Sequence, residues 1–304
     1  MLGDCFYWLF NMSITASFMG LLILIIRGIR RIPRRISIFL WIVPFIRMCV
    51  PYGLNSPYSL MAFISHFTTK TITVYQPTDT IAFSLTNSIM AANSYFPITY
   101  KVNILEKVFE LSSLIWIVIF LSIILMLGIL YASALYEIKD ARPLSKNIYL
   151  SDKVQGPAVY GIIKPKVILP SSYKNKDIQY ILKHEITHIH RADNLWRLLA
   201  FLTVAIHWFN PISWVFLKQF LSDIELACDE TAIAKYDNEE RKIYAKTLLE
   251  CATTPNLFVS SFGGAKIRKR IHHILSYRRI TGFSIASFTI LIIAIISVSI
   301  TNAG

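Results

Sequence analysis

The sequence is short of charge: 16% of its 304 residues are Asp, Glu, Lys or Arg, where a soluble chain of this length carries about 25%. With 54% hydrophobic residues and a mean hydropathy of +0.50, that deficit argues against an ordinary soluble domain and for a membrane protein. Cysteine is scarce too. Cys5, Cys49, Cys228 and Cys251 include no CxxC pair, which argues against a disulfide framework and a thiolate zinc site. There is no internal repeat, no low-complexity tract, no zinc finger and no basic stripe interleaved with stacking aromatics. The net charge of +13 therefore does not point to nucleic acid. In a hydrophobic chain it marks cytoplasmic loops and lipid head groups.

A membrane-spanning helix needs roughly 20 apolar residues. Cys5 to Ile26 is one such stretch. It is too long for a signal-peptide core, no basic region precedes it and arginines follow it, so it is expected to stay in the mature protein. Ile36 to Pro51 reads as a second span containing Pro44 and Arg47, the latter expected to snorkel to a head group or meet a carboxylate. Leu111 to Tyr136 is a third span and Gly282 to Ile300 the last. Arg27, Arg30, Arg31, Arg34 and Arg35 lie between the first two spans and fix that loop inside. Both termini are then outside. The expected layout is a membrane region over 1–136, with three transmembrane helices and an external loop at about 54–110. A cytoplasmic domain follows over 137–281, then a final helix and short external tail over 282–304. The uncharged stretch Leu198 to Leu217 is broken at Asn210-Pro211, which favours a hydrophobic hairpin, buried in the domain or dipping into the inner leaflet.

Within 137–281 the pattern predicts short strands at Asn147–Ser151, Ala158–Tyr160 and Val167–Leu169, with turns at Gly156-Pro157 and Lys164-Pro165. Helices are expected over about 176–190, 217–235 and 239–252.

The chemistry centres on His184-Glu185-Ile186-Thr187-His188, an HExxH pattern in a helical run. Spacing of i and i+4 puts both imidazoles on one helix face, where they can bind one zinc ion. Glu185 projects beside them as a general base. A hydrolytic zinc site wants a third protein ligand and one open position. Glu225 is the best candidate, with Asp229 one turn on as a hydrogen-bond partner for a ligand histidine. HExxH alone arises by chance in long helices, and Glu225 with Asp229 alone reads as a solvated helix face; each strengthens the other. A shared ion also requires an even number of membrane crossings between His188 and Glu225, which a hairpin satisfies.

Other polar residues read as structural. Cys228 is expected to be a small buried core residue and His207 a hydrogen-bonded core histidine. Arg191 and Asp193 orient the end of the motif helix, and His272 and His273 belong to a basic juxtamembrane helix. Ser171-Ser-Tyr-Lys174 spells SxxK but has no partner motif.

Several blocks together resemble the BlaR/MecR-type antirepressor family of membrane metallopeptidases, the transducer part of beta-lactam receptors. They are Pro157-Ala-Val-Tyr-Gly-Ile-Ile-Lys-Pro-Lys-Val-Ile-Leu-Pro170, His184-Glu-Ile-Thr-His-Ile-His-Arg-Ala-Asp193, His207-Trp-Phe-Asn-Pro-Ile-Ser-Trp214, Glu225-Leu-Ala-Cys-Asp-Glu230 and Tyr244-Ala-Lys-Thr-Leu248. The resemblance implies a multi-pass α-helical membrane protein with a cytoplasmic α+β zincin (gluzincin-like) metallopeptidase domain. In it Zn2+ is held by His184, His188 and Glu225, Glu185 is the general base, and Asp229 and Asp193 support the ligands from behind. The implied substrate is a cytoplasmic transcriptional repressor, or the chain itself. It is expected to lie along a strand edge near Val167, Ile168 and Leu169, with Tyr244 or His272 aiding the oxyanion. The best-known members carry an external penicillin-binding domain after the last span, which this sequence does not show, so direct acylation by a beta-lactam is not expected. A homodimer is open to the chain, and the lipid bilayer is its other partner. Two rivals are a membrane quality-control or maturation protease and a non-catalytic receptor or scaffold with a structural zinc site.

Overall fold

A computed structural model describes residues 2–28, 32–50, 55–56, 104–173, 178–252, 267–277, 282–300 and 302–303. Most of the external loop expected at 54–110 lies outside the described residues, as do Arg30, Arg31 and Lys174.

The first apolar run forms α1, Leu2–Arg27, a single 26-residue helix. After Pro33, which sets the N-terminus of α2 (Arg34–Ser37), the chain continues through a 3-10 turn at Ile38–Trp41 into α3, Ile42–Cys49. The span expected over Ile36–Pro51 is therefore three short helical pieces. Leu40, Trp41, Val43 and Met48 are buried in a protein core, and Arg47 is 1% exposed, so it does not snorkel. Pro44 is tolerated because it falls in the first turn of α3. The third apolar run is α4, Ile104–Glu137. Its Leu111, Leu114, Val118, Leu121, Leu125 and Ile129 are exposed along its length. Two helices among the described residues are long and apolar enough to cross a membrane, Leu2–Arg27 and Lys107–Glu137.

A four-stranded sheet follows, from β2 (Arg142–Ser145), β3 (Ile148–Ser151), β4 (Ala158–Tyr160) and β5 (Lys166–Pro170), in the order β2-β3-β5-β4. A two-residue strand β1, Asn55–Ser56, pairs in parallel with β6, Asn302–Ala303. β3 and β5 run parallel, and the outer pairs are antiparallel. Strand β2 has no apolar alternation and is fully exposed, which is why the sequence pattern does not mark it. The strand over Val167–Leu169 has neighbours on both sides, so it is not the edge expected for substrate; β4 is an edge instead. Gly161 ends β4 at φ +89°, and a Cβ there would lie 2.9 Å from the Lys164 carbonyl oxygen, so the turn into β5 requires glycine.

The remaining elements are helical: α5 (Gln179–His190), α6 (Asp193–Ile206), α7 (Pro211–Ala232), α8 (Asn238–Ala252), α9 (Ile267–Leu275) and α10 (Gly282–Ile300). Leu150, Val167 and Leu169 of the sheet pack on Ile181 of α5, which sets the motif helix against the sheet. Asn210 caps α7 by accepting from the Ile212 N–H at 2.9 Å, with Pro211 at the first helical position. This Asn-Pro break makes α6 and α7 a hairpin.

The hairpin lies along α1. At its base Asp223 meets Arg27 at the end of α1. At its tip Asn210 donates to Ser13 and Ser17 Oγ, both at 2.8 Å, and the Phe209 ring lies 5.3 Å from that of Phe6. From Phe6 to Arg27, α1 is roughly 30 Å long at 1.5 Å per residue, so the hairpin follows almost all of it. Trp116 of α4 donates to the Ile206 carbonyl at 2.7 Å, and His207 is buried with Nε2 3.0 Å from the Met48 carbonyl oxygen. Ala16, Met19 and Ile23 of α1, Val43 and Met48 of α3, and Val204, Phe216 and Ile224 of the hairpin form one core.

Candidate metal centre

Helix α5 presents His184 and His188 one turn apart, and both are buried. Their Nε2 atoms are 3.2 Å apart. Across from them, Glu225 of α7 places Oε2 3.9 Å from His184 Nε2 and Oε1 3.8 Å from His188 Nε2. Three donors around one tetrahedral zinc, each bound at about 2.1 Å, lie roughly 3.4 Å from one another. The observed separations of 3.2, 3.8 and 3.9 Å bracket that figure, and the Arg270 guanidinium lies against two of the donors, His184 Nε2 and Glu225 Oε2.

The far nitrogens of both imidazoles are held. Beyond α5, Ala192 turns through φ 53°, an uncommon left-handed conformation for a non-glycine residue, and this reverses the chain into α6. The reversal brings Asp193 back to His188, with Oδ2 2.7 Å from Nδ1, and Arg191 donates to the same carboxylate at 3.1 Å. His184 Nδ1 lies 2.9 Å from the hydroxyl of Tyr244 in α8, which donates to Asp229 Oδ1 at 2.9 Å. Asp229 itself is 3.4 Å from His184 Nδ1. Thus Asp193 bonds a motif histidine directly, whereas Asp229 acts chiefly through the tyrosine hydroxyl. Tyr244 is accordingly engaged behind His184, and His272 is exposed, so neither is set to meet an oxyanion.

Cys228 also approaches the pair. A donor set of His184, His188 and Cys228 lies within 4.8 Å. The thiol, however, is 3.6 Å from His184 Nδ1, the nitrogen already facing Tyr244, and it donates to the His184 carbonyl at 3.5 Å. Burial, then Asp229 and Glu225, push this thiol well above its ordinary pKa, so it is not a ready thiolate. The Glu225 carboxylate lies within 3.9 Å of both Nε2 atoms.

Burial alone would raise the Glu225 carboxyl, but the Arg270 guanidinium, His188 and Arg197 hold it well below the carboxylate range. Arg197 Nη2 donates to Oε1 at 2.5 Å, and Arg270 Nη1 lies 3.0 Å from Oε2. Burial, then Arg270 and His188, push the His184 imidazole well below its ordinary pKa, keeping it neutral. Glu185 is 8% exposed, and burial raises its carboxyl above the usual range. A buried carboxylate with raised basicity beside the two imidazoles is an arrangement suited to taking a proton from water.

A cavity of about 590 Å³ opens beside Glu225. Ala158, Val159 and Tyr160 of the edge strand, Arg197 and Phe201 of α6, and the α4 face around Gly128 and Tyr131 line it. Asn194 donates to the Val159 and Gly161 carbonyls at 3.1 and 3.0 Å, fixing the end of that edge. Arg197 and Arg270, from α6 and α9, were not among the residues that the sequence assigns to the site, and no short motif announces them.

The family model described as BlaR1 peptidase M56 matches residues 7–280. The methicillin resistance mecR1 protein of Staphylococcus aureus strain Mu50 is 24% identical over 165 residues, covering 48% of this chain and 28% of that protein. The regulatory protein BlaR1 of Bacillus licheniformis is 26% identical over 138 residues, 42% of this chain and 23% of the relative. Regulatory protein BlaR1 of Staphylococcus aureus is 24% identical over 199 residues, 56% and 34% respectively. The chain thus matches about a third or less of the length of these relatives.

Proposed function

This chain belongs to the BlaR1 peptidase M56 family, and from that premise we propose that it is a membrane-embedded zinc metallopeptidase of gluzincin-like fold that cuts peptide bonds at the cytoplasmic face. The observation that carries the reading is the convergence of His184 Nε2, His188 Nε2 and the Glu225 carboxylate at 3.2 to 3.9 Å beside the buried Glu185.

His184, His188 and Glu225 would hold the zinc, which when bound would supply Lewis acidity towards a scissile carbonyl and a water molecule. Glu185 is the group that would take a proton from water and pass it to the leaving amine. Asp193 holds His188, and Tyr244 with Asp229 holds His184, so both imidazoles keep one tautomer and one orientation. Substrate in extended form lies along the edge strand Ala158–Tyr160, in the cavity that also contains Glu225.

Membrane placement is supported by the two long apolar helices and by the hairpin that tracks α1 for nearly its whole length. The pairing of Asn55–Ser56 with Asn302–Ala303 agrees with an outer loop and C-terminal tail on one side, with the catalytic groups on the other. The relatives are named as regulatory and methicillin resistance proteins. The proposed substrate is accordingly a cytoplasmic transcriptional repressor, or this chain itself.

The test compares purified wild type with Glu185→Ala, both zinc-loaded, for self-cleavage and for cleavage of a co-expressed candidate repressor. Wild type is expected to cut, and the variant to bind zinc without cutting. If the two behave alike while both bind zinc, catalysis through Glu185 is wrong and a zinc-bearing receptor becomes the leading reading.

A further inference from the structure

Helix α9 is short and basic, and it is docked along the ligand helix α7. Lys269 donates to Ser222 Oγ at 3.0 Å, and His273 Nε2 lies 2.7 Å from Glu230 Oε1. Between these two anchors Arg270 points into the centre. Its Nε and Nη2 donate to Asp229 Oδ2 and Oδ1, both at 2.8 Å. Its Nη1 is 3.0 Å from Glu225 Oε2, and its Nη2 is 3.1 Å from His184 Nε2.

The last contact decides the chemistry. A guanidinium stays protonated and can only donate, so His184 Nε2 is the acceptor and spends its one lone pair on Arg270. That nitrogen also faces His188 Nε2 and Glu225. One lone pair cannot accept an N–H and bind a cation at once. The guanidinium and a metal ion are therefore alternatives at His184, and they compete for Glu225 as well.

We propose that Arg270 is a latch on the metal centre. With α9 seated, its guanidinium occupies the donors of His184 and Glu225; with α9 displaced, those donors are free to take the ion. The latch rests on the reading of His184, His188 and Glu225 as metal ligands.

The test titrates the full chain in detergent with Co2+, following its visible absorption, for wild type and Arg270→Gln. The variant is expected to bind cobalt at least tenfold more tightly. Because Arg270→Gln leaves Asp229 buried without its partner, a second arm uses Ser222→Cys with Lys269→Cys, in a background where Cys5, Cys49 and Cys251 are changed to Ser. Joining the two thiols with a short bifunctional reagent pins α9 on α7, and is expected to weaken cobalt binding at least tenfold relative to the unlinked chain. Arg270→Gln binding that is unchanged or weaker, together with no effect of the cross-link, overturns the latch and leaves Arg270 as a support for Glu225. If neither wild type nor variant binds cobalt, the metal centre itself is wrong and the latch falls with it.

Discussion

Arg27 at the end of α1 grips Asp223 of α7 through two parallel bonds, Nε to Oδ2 at 2.6 Å and Nη2 to Oδ1 at 2.8 Å, across 196 residues. Trp41 Nε1 adds a third at 3.0 Å, and the carboxylate is completely buried. Asp223 stands two residues before Glu225, so the end of α1 and the helix that carries Glu225 are fixed to each other. Next to it, Glu230 accepts the backbone N–H groups of Arg34 and Arg35 at 3.0 and 2.9 Å, capping the N-terminus of α2.

The first prediction follows from that burial. Arg27→Ala strands a buried carboxylate and is expected to cost about 3–5 kcal/mol. Arg27→Met with Asp223→Leu removes both charges and recovers most of the loss. Thermal unfolding of the detergent-solubilised chain measures both. A loss under about 1 kcal/mol for the single variant would show that water reaches Asp223.

Gly20 supplies a second. A Cβ at this position would fall 2.0 Å from Cζ of Phe216, so α1 and α7 touch there only because Gly20 has no side chain. Phe216 is fully buried and cannot swing aside freely. Gly20→Ala is expected to destabilise by about 1–3 kcal/mol through overpacking, with partial recovery on adding Phe216→Leu. Equal unfolding temperatures for wild type and Gly20→Ala would refute the close approach.

The sequence made some of this legible for definite reasons. His184 and His188 could be read because helical spacing alone puts them on one face, and Glu225 because a zinc site needs a third ligand. Asn210-Pro211 announced a hairpin through backbone chemistry. What stayed hidden depends on tertiary meeting points. Arg270 sits in a basic run that looks like a solvated anchor and meets His184 across 86 residues. A clue was present in Ile267, Ile271 and Ile274, whose spacing marks a docked helix face that Arg270 shares. The stretch read as a second span is helical from Arg34 to Cys49 and buries Trp41 and Met48 in the core shared with α1 and α7, a packing that hydropathy alone does not reveal. The edge strand was misassigned because strand order is not written in local pattern; β4 precedes β5 in sequence and lies outside it in the sheet.

A third prediction concerns the groups behind the histidines. Asp193→Asn weakens the 2.7 Å contact to His188 Nδ1 and no longer fixes its tautomer. Tyr244→Phe removes at once the partner of His184 Nδ1 and the donor to Asp229. Each is expected to lower metal affinity about 10–100-fold, read by zinc competition against a chromophoric chelator. Affinity within twofold of wild type for both would mean that the imidazoles are oriented by packing alone.

The fourth separates the two candidate third ligands. Cys228 lies near the histidines, but it faces His184 Nδ1 and its thiol is held protonated by burial. Glu225 faces both Nε2 atoms and is kept ionised beside Arg270 and Arg197. Glu225→Gln should therefore cut cobalt affinity by more than about 100-fold, since even partners outside the coordination shell are worth 10–100-fold. Cys228→Ser should stay within a few-fold of wild type. The cobalt complex should also lack the near-ultraviolet band of a thiolate bound to the metal. That band, together with loss of binding in Cys228→Ser, would transfer the third ligand to Cys228. It would also take Glu225 out of the centre, and a site closed by a thiolate with Glu225 bound to its arginines would look structural rather than hydrolytic.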